Sequence, residues 1–149
     1  MALSVVKQIS VFLVNKPGVL AQVTEALAEA KVNIKALTLV DSQEHGVLRM
    51  VLENGARGIE ILKSLNVPVT ETDVLCIEMA NRPGALADIC NRLASEHINI
   101  NYAYCTTGTK GGKTYGIFKV SDIKKAQKVL EQRKPIRKRQ PVKRLQIKK

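Results

Sequence analysis

Two similar stretches decide the fold of this chain. Asn15–Leu27 reads NKPGVLAQVTEAL and Asn81–Leu93 reads NRPGALADICNRL, and each follows a run of aliphatic residues. Aligned from Asn15 and Asn81 over 26 positions, the two copies share nine identities, with the proline and the glycine among them. An internal repeat of this kind indicates one structural unit written twice. We therefore expect two small domains in the 149 residues.

The first copy predicts the element order β-α-β-β-α-β. KQISVFLVN alternates as a strand does, Pro17 suits the first helical position, and Leu20, Val23 and Leu27 form one apolar stripe. VNIKALTLVD and VLRMVL predict a hairpin, ENGARGIEILKSLN a second helix and VPVTET a short last strand. This order is the ferredoxin-like arrangement, an α+β fold whose antiparallel sheet carries both helices on one face.

The same order begins again at Val74. VLCIEMAN predicts a strand, RPGALADICNRLASEH a helix, ININYAYCT and KTYGIFKV a hairpin, and SDIKKAQKVLEQ the second helix. A last strand for this copy has no clear candidate, because Pro135 and Pro141 interrupt the region and only VKRLQI alternates. The predicted divisions are a first domain at 1–72, a second at 73–133 with its final strand unassigned, and a basic tail at 134–149.

Composition excludes several classes of protein. The net charge of +11 belongs to the end of the chain, because Arg133 to Lys149 holds nine Lys or Arg while all 13 acidic residues lie earlier. Three cysteines without a CxxC pair, and only two histidines, predict neither a disulfide framework nor a zinc site. We expect no metal and no cofactor. No apolar run is long enough for a membrane helix and no signal peptide precedes the repeat, so we expect a cytoplasmic protein with no membrane partner.

The repeated N-x-P-G turn has chemistry that suits a carboxylate. The first N–H groups of a helix have no intrahelical acceptor and lie at the positive end of the helix dipole, so they bind anions. Gly18 and Gly84 would let a ligand approach the backbone, and Asn15 and Asn81 offer an acceptor for an α-ammonium. The other interpretation is structural, since Asn is a common N-cap and Pro-Gly an ordinary turn. The residues alone leave both interpretations open.

Both copies resemble the ACT domain, a βαββαβ regulatory module with a D/N-x-P-G-x-L turn, an amphipathic helix and a following NI strand start. The resemblance extends from about Lys7 to Gln132. It implies that a free amino acid binds where two such domains lie side by side and share a continuous eight-stranded sheet, between the turn of one domain and the second strand of its neighbour. The ligand-binding residues that it implies are Asn15, Pro17, Gly18, Val19, Leu20, Asn33, Ile34, Asn81, Pro83, Gly84, Ala85, Leu86, Asn99 and Ile100.

The resemblance also implies a function, that of a non-catalytic sensor that regulates amino-acid metabolism allosterically. The chain is similar to free-standing tandem ACT proteins, so we expect a homodimer, with a partner enzyme of amino-acid biosynthesis as the regulated protein. His45 and His97 complete no catalytic set, and no enzyme activity is expected.

The alternative is an RNA-binding protein of the same topology, which would use KTYGIFKV and the basic tail. Thr114 and Ile117 stand where such a strand needs glycine and an aromatic residue, so nucleic acid is the less favoured partner.

Overall fold

A computed structural model of the chain describes residues 2–41, 45–106 and 112–132. Ten elements follow the predicted order, except that two predicted strands form one, and each helix begins and ends within a few residues of its predicted range. The elements are β1 (Leu3–Val14), α1 (Val19–Glu29), β2 (Ile34–Asp41), β3 (His45–Leu52), α2 (Gly55–Ser64), β4 (Val69–Ala80), α3 (Ala85–Ser95), β5 (Ile100–Cys105), β6 (Lys113–Val120) and α4 (Ile123–Glu131).

The strands form one antiparallel sheet in the order β2-β3-β1-β4-β6-β5. The expectation of eight strands is wrong for the described residues, which form six. One of the two missing strands is accounted for by β4, a single strand of 12 residues where the sequence predicts two. It crosses the predicted boundary between residues 72 and 73 without a break, because Asp73 pairs with Lys7 and continues the ladder with β1.

The two central strands each serve both copies of the repeat. Val69 pairs with Val11 and is part of the fourth strand of the first copy, whereas Ile77 pairs with Leu3 and lies in the first strand of the second copy. Among the described residues, the place of the second copy's last strand is therefore taken by the N-terminal part of β1. The segment VKRLQI, the sequence candidate for that strand, lies outside the described residues.

We define two interlocked units from this pairing, each with the ferredoxin-like strand order. The first unit is residues 9–14 of β1 with α1, β2, β3, α2 and residues 69–72 of β4. The second unit is residues 74–80 of β4 with α3, β5, β6, α4 and residues 3–7 of β1.

The helices cover one face of the sheet and enclose two apolar cores. The first core contains the predicted strand residues Ile9, Val11 and Leu13 together with Val23 and Leu27 of α1. The second core is built in the same way from the strands and helices of the second unit. Its buried members are Leu75, Ile77, Met79, Ile89, Leu93, Ile98, Phe118, Val120, Ala126 and Leu130. The apolar stripes read from the sequence are thus confirmed as the buried sides of α1 and α3.

The opposite face, which we call the second face, is also partly buried. The edge strands β2 and β5 contact each other, although no backbone ladder joins them. A small cluster drawn from both units fills the space between them: Ala36, Val51, Val74, Cys76 and Ile117. The sheet is therefore curled, with its two edges brought together on the side away from the helices.

Candidate functional site

The first turn joins the end of β1 to α1. The helix begins at Val19, so Pro17 is not at the first helical position as the sequence predicts. The difference arises because Gly18 is the N-cap residue and has φ 87°, a left-handed conformation that favours glycine. The interpretation of Asn15 as the N-cap is also wrong, since its side-chain amide instead donates to Asp41 Oδ1 at 3.2 Å.

The N-terminus of α1 is open on the side of this turn. None of the described side chains caps it, and no acidic residue lies in its first turn. Gln22 N donates to the Gly18 carbonyl at 3.0 Å, and Val19 N makes only a long contact of 3.4 Å with the Lys16 carbonyl. A Cβ built at Gly18 would have no protein atom within 4 Å. The space over the first-turn amides can therefore admit an anionic group.

The second turn repeats this backbone. Gly84 has φ 88° and is the N-cap residue of α3, and its carbonyl accepts from Asp88 N at 2.9 Å. The side chains differ, however. Asp88 lies in the first turn of α3, and its carboxylate pairs with Arg82 at 3.2 Å. An acid of the protein itself therefore already lies near the positive end of this helix.

The predicted strand-start residues close the turns between helix and strand. Asn33 donates through its side chain to Glu53 Oε1 at 3.0 Å, and its carbonyl accepts from Glu53 N at 3.0 Å. Asn99 exchanges comparable bonds with Ser121, whose Oγ accepts from Asn99 N at 3.0 Å. Both asparagines thus join a strand start to the end of the neighbouring strand.

A single chain does not bring the predicted site residues together. The two turns follow the C-terminal ends of β1 and β4, and these strands are antiparallel, so the turns lie at opposite ends of the sheet. Ile34 is at the other end of β2 from Asp41, a whole strand away from the first turn. Ile100, opposite Val120 on β6, is level with the middle of β1.

The remaining predicted residues differ in exposure. Val19, Leu20 and Ile34 pack partly against the first core, and Ala85 and Ile100 against the second. The side chain of Leu86 is 45% exposed, whereas Leu20, its counterpart in the first turn, is half-buried. The prolines Pro17 and Pro83 are exposed. Asn81 is half-buried, and its backbone N–H donates to the Gly112 carbonyl at 2.8 Å.

Two surface cavities adjoin α1. One, of about 390 Å³, lies between α1 and the start of β2 and is lined by Thr24, Ala28, Lys31, Val32, Asn33 and Ile34. The other, of about 380 Å³, lies between α1 and the end of α2, with Val19 and Gln22 on its wall. Each has room for a small metabolite.

Two acidic residues near the turns, Asp41 and Asp88, were not predicted from the sequence. Asp41 ends β2, which runs parallel to β1 on the far side of β3, and this strand order could have indicated that Asp41 lies near Asn15. Asp88 is four residues after Gly84, a spacing that places it on the first turn of the helix. These carboxylates distinguish the two turns.

The second face bears on the alternative of RNA binding. The Tyr115 ring, which would have to stack on a base, is covered by Lys35 Nζ at 4.4 Å from its centroid. Tyr104 on the neighbouring strand is half-buried, and burial raises the pKa of its hydroxyl above the ordinary range. The strand that would read RNA thus faces the curled interior. The basic tail lies outside the described residues.

The described ranges contain no group of three metal-ligating side chains placed to hold an ion. None of the four helices described is both long and apolar enough to cross a bilayer. All three cysteines are free thiols, with Cys76 buried and Cys105 exposed.

Comparison with known families agrees with the geometry. The model of a family described as the ACT domain pair matches residues 4–138. The chain belongs to this ACT domain pair family. A search of curated proteins found no match to this ACT pair.

Solved structures share its fold. A protein from Bacteroides thetaiotaomicron is 34% identical to this ACT pair, with a TM-score of 0.80 over 86% of this chain and 88% of the other. The ligand-free regulatory subunit of aspartate kinase from Thermus thermophilus is 15% identical, with a TM-score of 0.64 over 87% and 95%. The regulatory subunit of aspartate kinase from Thermus flavus is 17% identical, with a TM-score of 0.59 over 87% and 93%.

Proposed function

We propose that this ACT pair is a non-catalytic regulatory module that binds a free amino acid. The observation that carries the proposal is the repeated turn, in which a glycine at φ 87° or 88° precedes a helix without a side-chain cap. The fold likeness to regulatory subunits of aspartate kinase supports a regulatory role.

The first turn has the more suitable charges for a zwitterion. An α-carboxylate would lie over the first-turn amides of α1, where no acidic side chain competes with it. An α-ammonium would lie beside Asp41, whose carboxylate already accepts from the Asn15 amide. In the second turn, Asp88 already brings a negative charge to the first turn of α3 and pairs with Arg82. We therefore propose that the first turn is the main amino-acid site.

A second copy of the chain completes the proposed site. The strand starts at Ile34 and Ile100 lie far from the first turn in one chain, so a strand that faces the turn would come from another copy. The edge strand β2 is suited to such pairing, because only its β3 side carries a ladder in the described sheet and because Leu37 and Leu39, on the helix face away from β5, are 39% and 47% exposed. Binding would then act on a partner enzyme of amino-acid biosynthesis through a change in this dimer.

A thermal-shift screen of the twenty amino acids tests the proposal. A ligand that binds only the folded protein stabilises it by about 2.7 kcal/mol at a hundredfold excess over Kd. We expect one amino acid, or a chemically similar group, to raise the melting temperature at millimolar concentration. Calorimetric titration of that ligand should give one strong site per chain. If none of the twenty changes the melting temperature, the chain is not an amino-acid sensor.

A further inference from the structure

The second face contains a polar network centred on Gln8. This side chain is fully buried and lies at the junction of the two units, on the face away from the helices. Its amide nitrogen donates to Tyr102 Oη at 2.7 Å and to Ser10 Oγ at 3.2 Å, and its carbonyl oxygen accepts from Tyr104 Oη at 2.9 Å. One amide from the centre of the sheet therefore holds both tyrosines of the edge strand β5.

Two cations extend this network across the units. The guanidinium of Arg49, on β3 of the first unit, lies 4.0 Å from the centroid of the Tyr102 ring. Lys35, on the opposite edge strand β2, covers Tyr115 of β6. In both contacts a cation of the first unit lies over a tyrosine of the second unit. Cation–π contacts are stronger where water is partly excluded, as between two contacting strands.

Among the described residues, side-chain contacts rather than a backbone ladder join the two edges of the sheet. The strands β2 and β5 contact each other without a backbone ladder, whereas every other neighbouring pair in the sheet is hydrogen-bonded. Separating these edges would break the Gln8 network and both cation–π contacts but none of the ladders. A buried network of this kind is stable only while all its members are paired, so its loss is expected to be cooperative.

We propose that Gln8, Arg49 and Lys35, with Tyr102, Tyr104 and Tyr115, form a conformational lock that couples the two units. In the closed state the lock holds β5 against the first unit and shields Cys76. In the open state β2 and β5 separate while the ladder between β1 and β4 stays intact. This proposal does not depend on amino-acid binding, and its test uses no ligand.

The reactivity of Cys76 can report whether the lock is closed or open. It is 3% exposed and belongs to the cluster between the two edges of the sheet. Burial raises the pKa of its thiol, so the closed state both shields the thiol and disfavours the reactive thiolate. Replacing the other two cysteines, as Cys90→Ala and Cys105→Ser, leaves Cys76 as the only thiol of the chain.

The experiment measures how fast a maleimide labels Cys76 in this background, with intact-mass detection at fixed pH. In Gln8→Leu we expect labelling to be about tenfold faster, because both tyrosine hydroxyls lose their partner. Hydrogen exchange in β5 should accelerate with it, while exchange in the β1–β4 ladder should not. The matched control is Lys7→Met, which removes an ion pair with Asp73 on the other face of the same strand. It should leave the labelling rate unchanged.

Tyr104→Phe guards against a Gln8 variant that fails to fold, because it deletes a single oxygen and leaves the Gln8 carbonyl without its donor. It should accelerate labelling several-fold. The proposal is wrong if labelling stays at the parent rate in a folded Gln8→Leu or in Tyr104→Phe. It is equally wrong if Lys7→Met accelerates labelling as much, because that outcome would indicate general destabilisation.

Discussion

The two turns have nearly the same backbone conformation, but their acidic side chains lie in different places relative to the helix N-terminus. Gly18 and Gly84 have φ angles of 87° and 88°, and each accepts a hydrogen bond from the amide four residues later. The second turn has Asp88 in the first turn of its helix, whereas the first has the neutral Gln22 at that position. The first turn instead has its carboxylate, Asp41, beside the asparagine that precedes the helix.

This difference separates the structural role of the turn from the binding role that we propose for it. A backbone that both units share is needed to connect a strand to a helix, and it does not by itself require a ligand. Neither helix has a side-chain cap, and the side chains instead determine the charge near each helix N-terminus. Asp88 offers the second helix an internal anion, and Arg82 compensates the charge of Asp88. The first turn of α1 contains no acidic residue. The acid near it, Asp41, takes part in none of the salt bridges found among the described residues.

The largest expected effect on ligand affinity comes from adding a methyl group to the first turn, with the same change in the second turn as the control. In Gly18→Ala the new Cβ would occupy open space beside the amides where we propose that the carboxylate binds, so we expect ligand affinity to fall by about 100-fold. Gly84→Ala is the matched control, because its φ is the same and both variants should lose about 1 to 2 kcal/mol of stability. Calorimetric titration would measure the affinities and urea unfolding the stabilities. Equal affinities in the two variants would contradict the assignment of the site to the first turn.

The second expected effect is the loss of a charge beside Asn15. Asp41→Asn keeps the shape of the side chain and removes the negative charge proposed to face the α-ammonium. We expect the affinity to fall about fivefold to tenfold, a value between those of exposed and buried charge pairs. The control is Glu53→Gln, which alters the partner of Asn33 at the other end of β2. A fall of the same size in both variants would show that only the net charge matters.

Periodicity in the sequence predicted the helices and strands well. It did not predict that β1 and β4 each belong to both units. The stretch from Val69 to Ala80 contains no glycine or proline that would mark a turn, and the division at residue 73 rested on treating the repeat as two complete copies. The structure instead uses the N-terminal part of β1 as the missing strand. That pairing joins residues far apart in the sequence, which no local pattern encodes.

The candidate site was only partly predictable for similar reasons. Asn15 and Gly18 were found through the repeated turn, but the positive φ that makes Gly18 the N-cap is not visible in a pattern of residue types. Asp41 depends on the order of strands in the sheet. Gln8 alternates with apolar neighbours and therefore reads as an outward-facing residue, although the curled sheet buries it completely.

A smaller effect should follow from exchanging the first-turn charges of the two helices. Gln22→Asp would give α1 the internal anion that α3 has, and we expect the affinity of the first site to fall about threefold. The isosteric control is Gln22→Asn, which adds no charge and should leave the affinity unchanged. Titration at low and at high salt would separate the effect of the added charge from that of the shorter side chain, because the charge effect should shrink as salt is added. An affinity that rises in Gln22→Asp would contradict anion binding at this helix.

The smallest expected effect is on stability at high pH, where the edge strands of the two units differ. The second unit has Tyr104 where the first has Thr38, which does not ionise. Burial raises the pKa of Tyr104 above that of a tyrosine in the unfolded chain, which is about 10. The unfolded state therefore loses this proton first, so the stabilising contribution is complete below pH 10 and is lost as the pH rises above it. Since Tyr104 is only partly buried, we expect a loss of a few tenths of a kcal/mol per pH unit. Urea unfolding between pH 9 and 10.5 should show a shallower decline in Tyr104→Phe than in the parent, and an identical slope would show that Tyr104 ionises as readily in the folded chain as in the unfolded one.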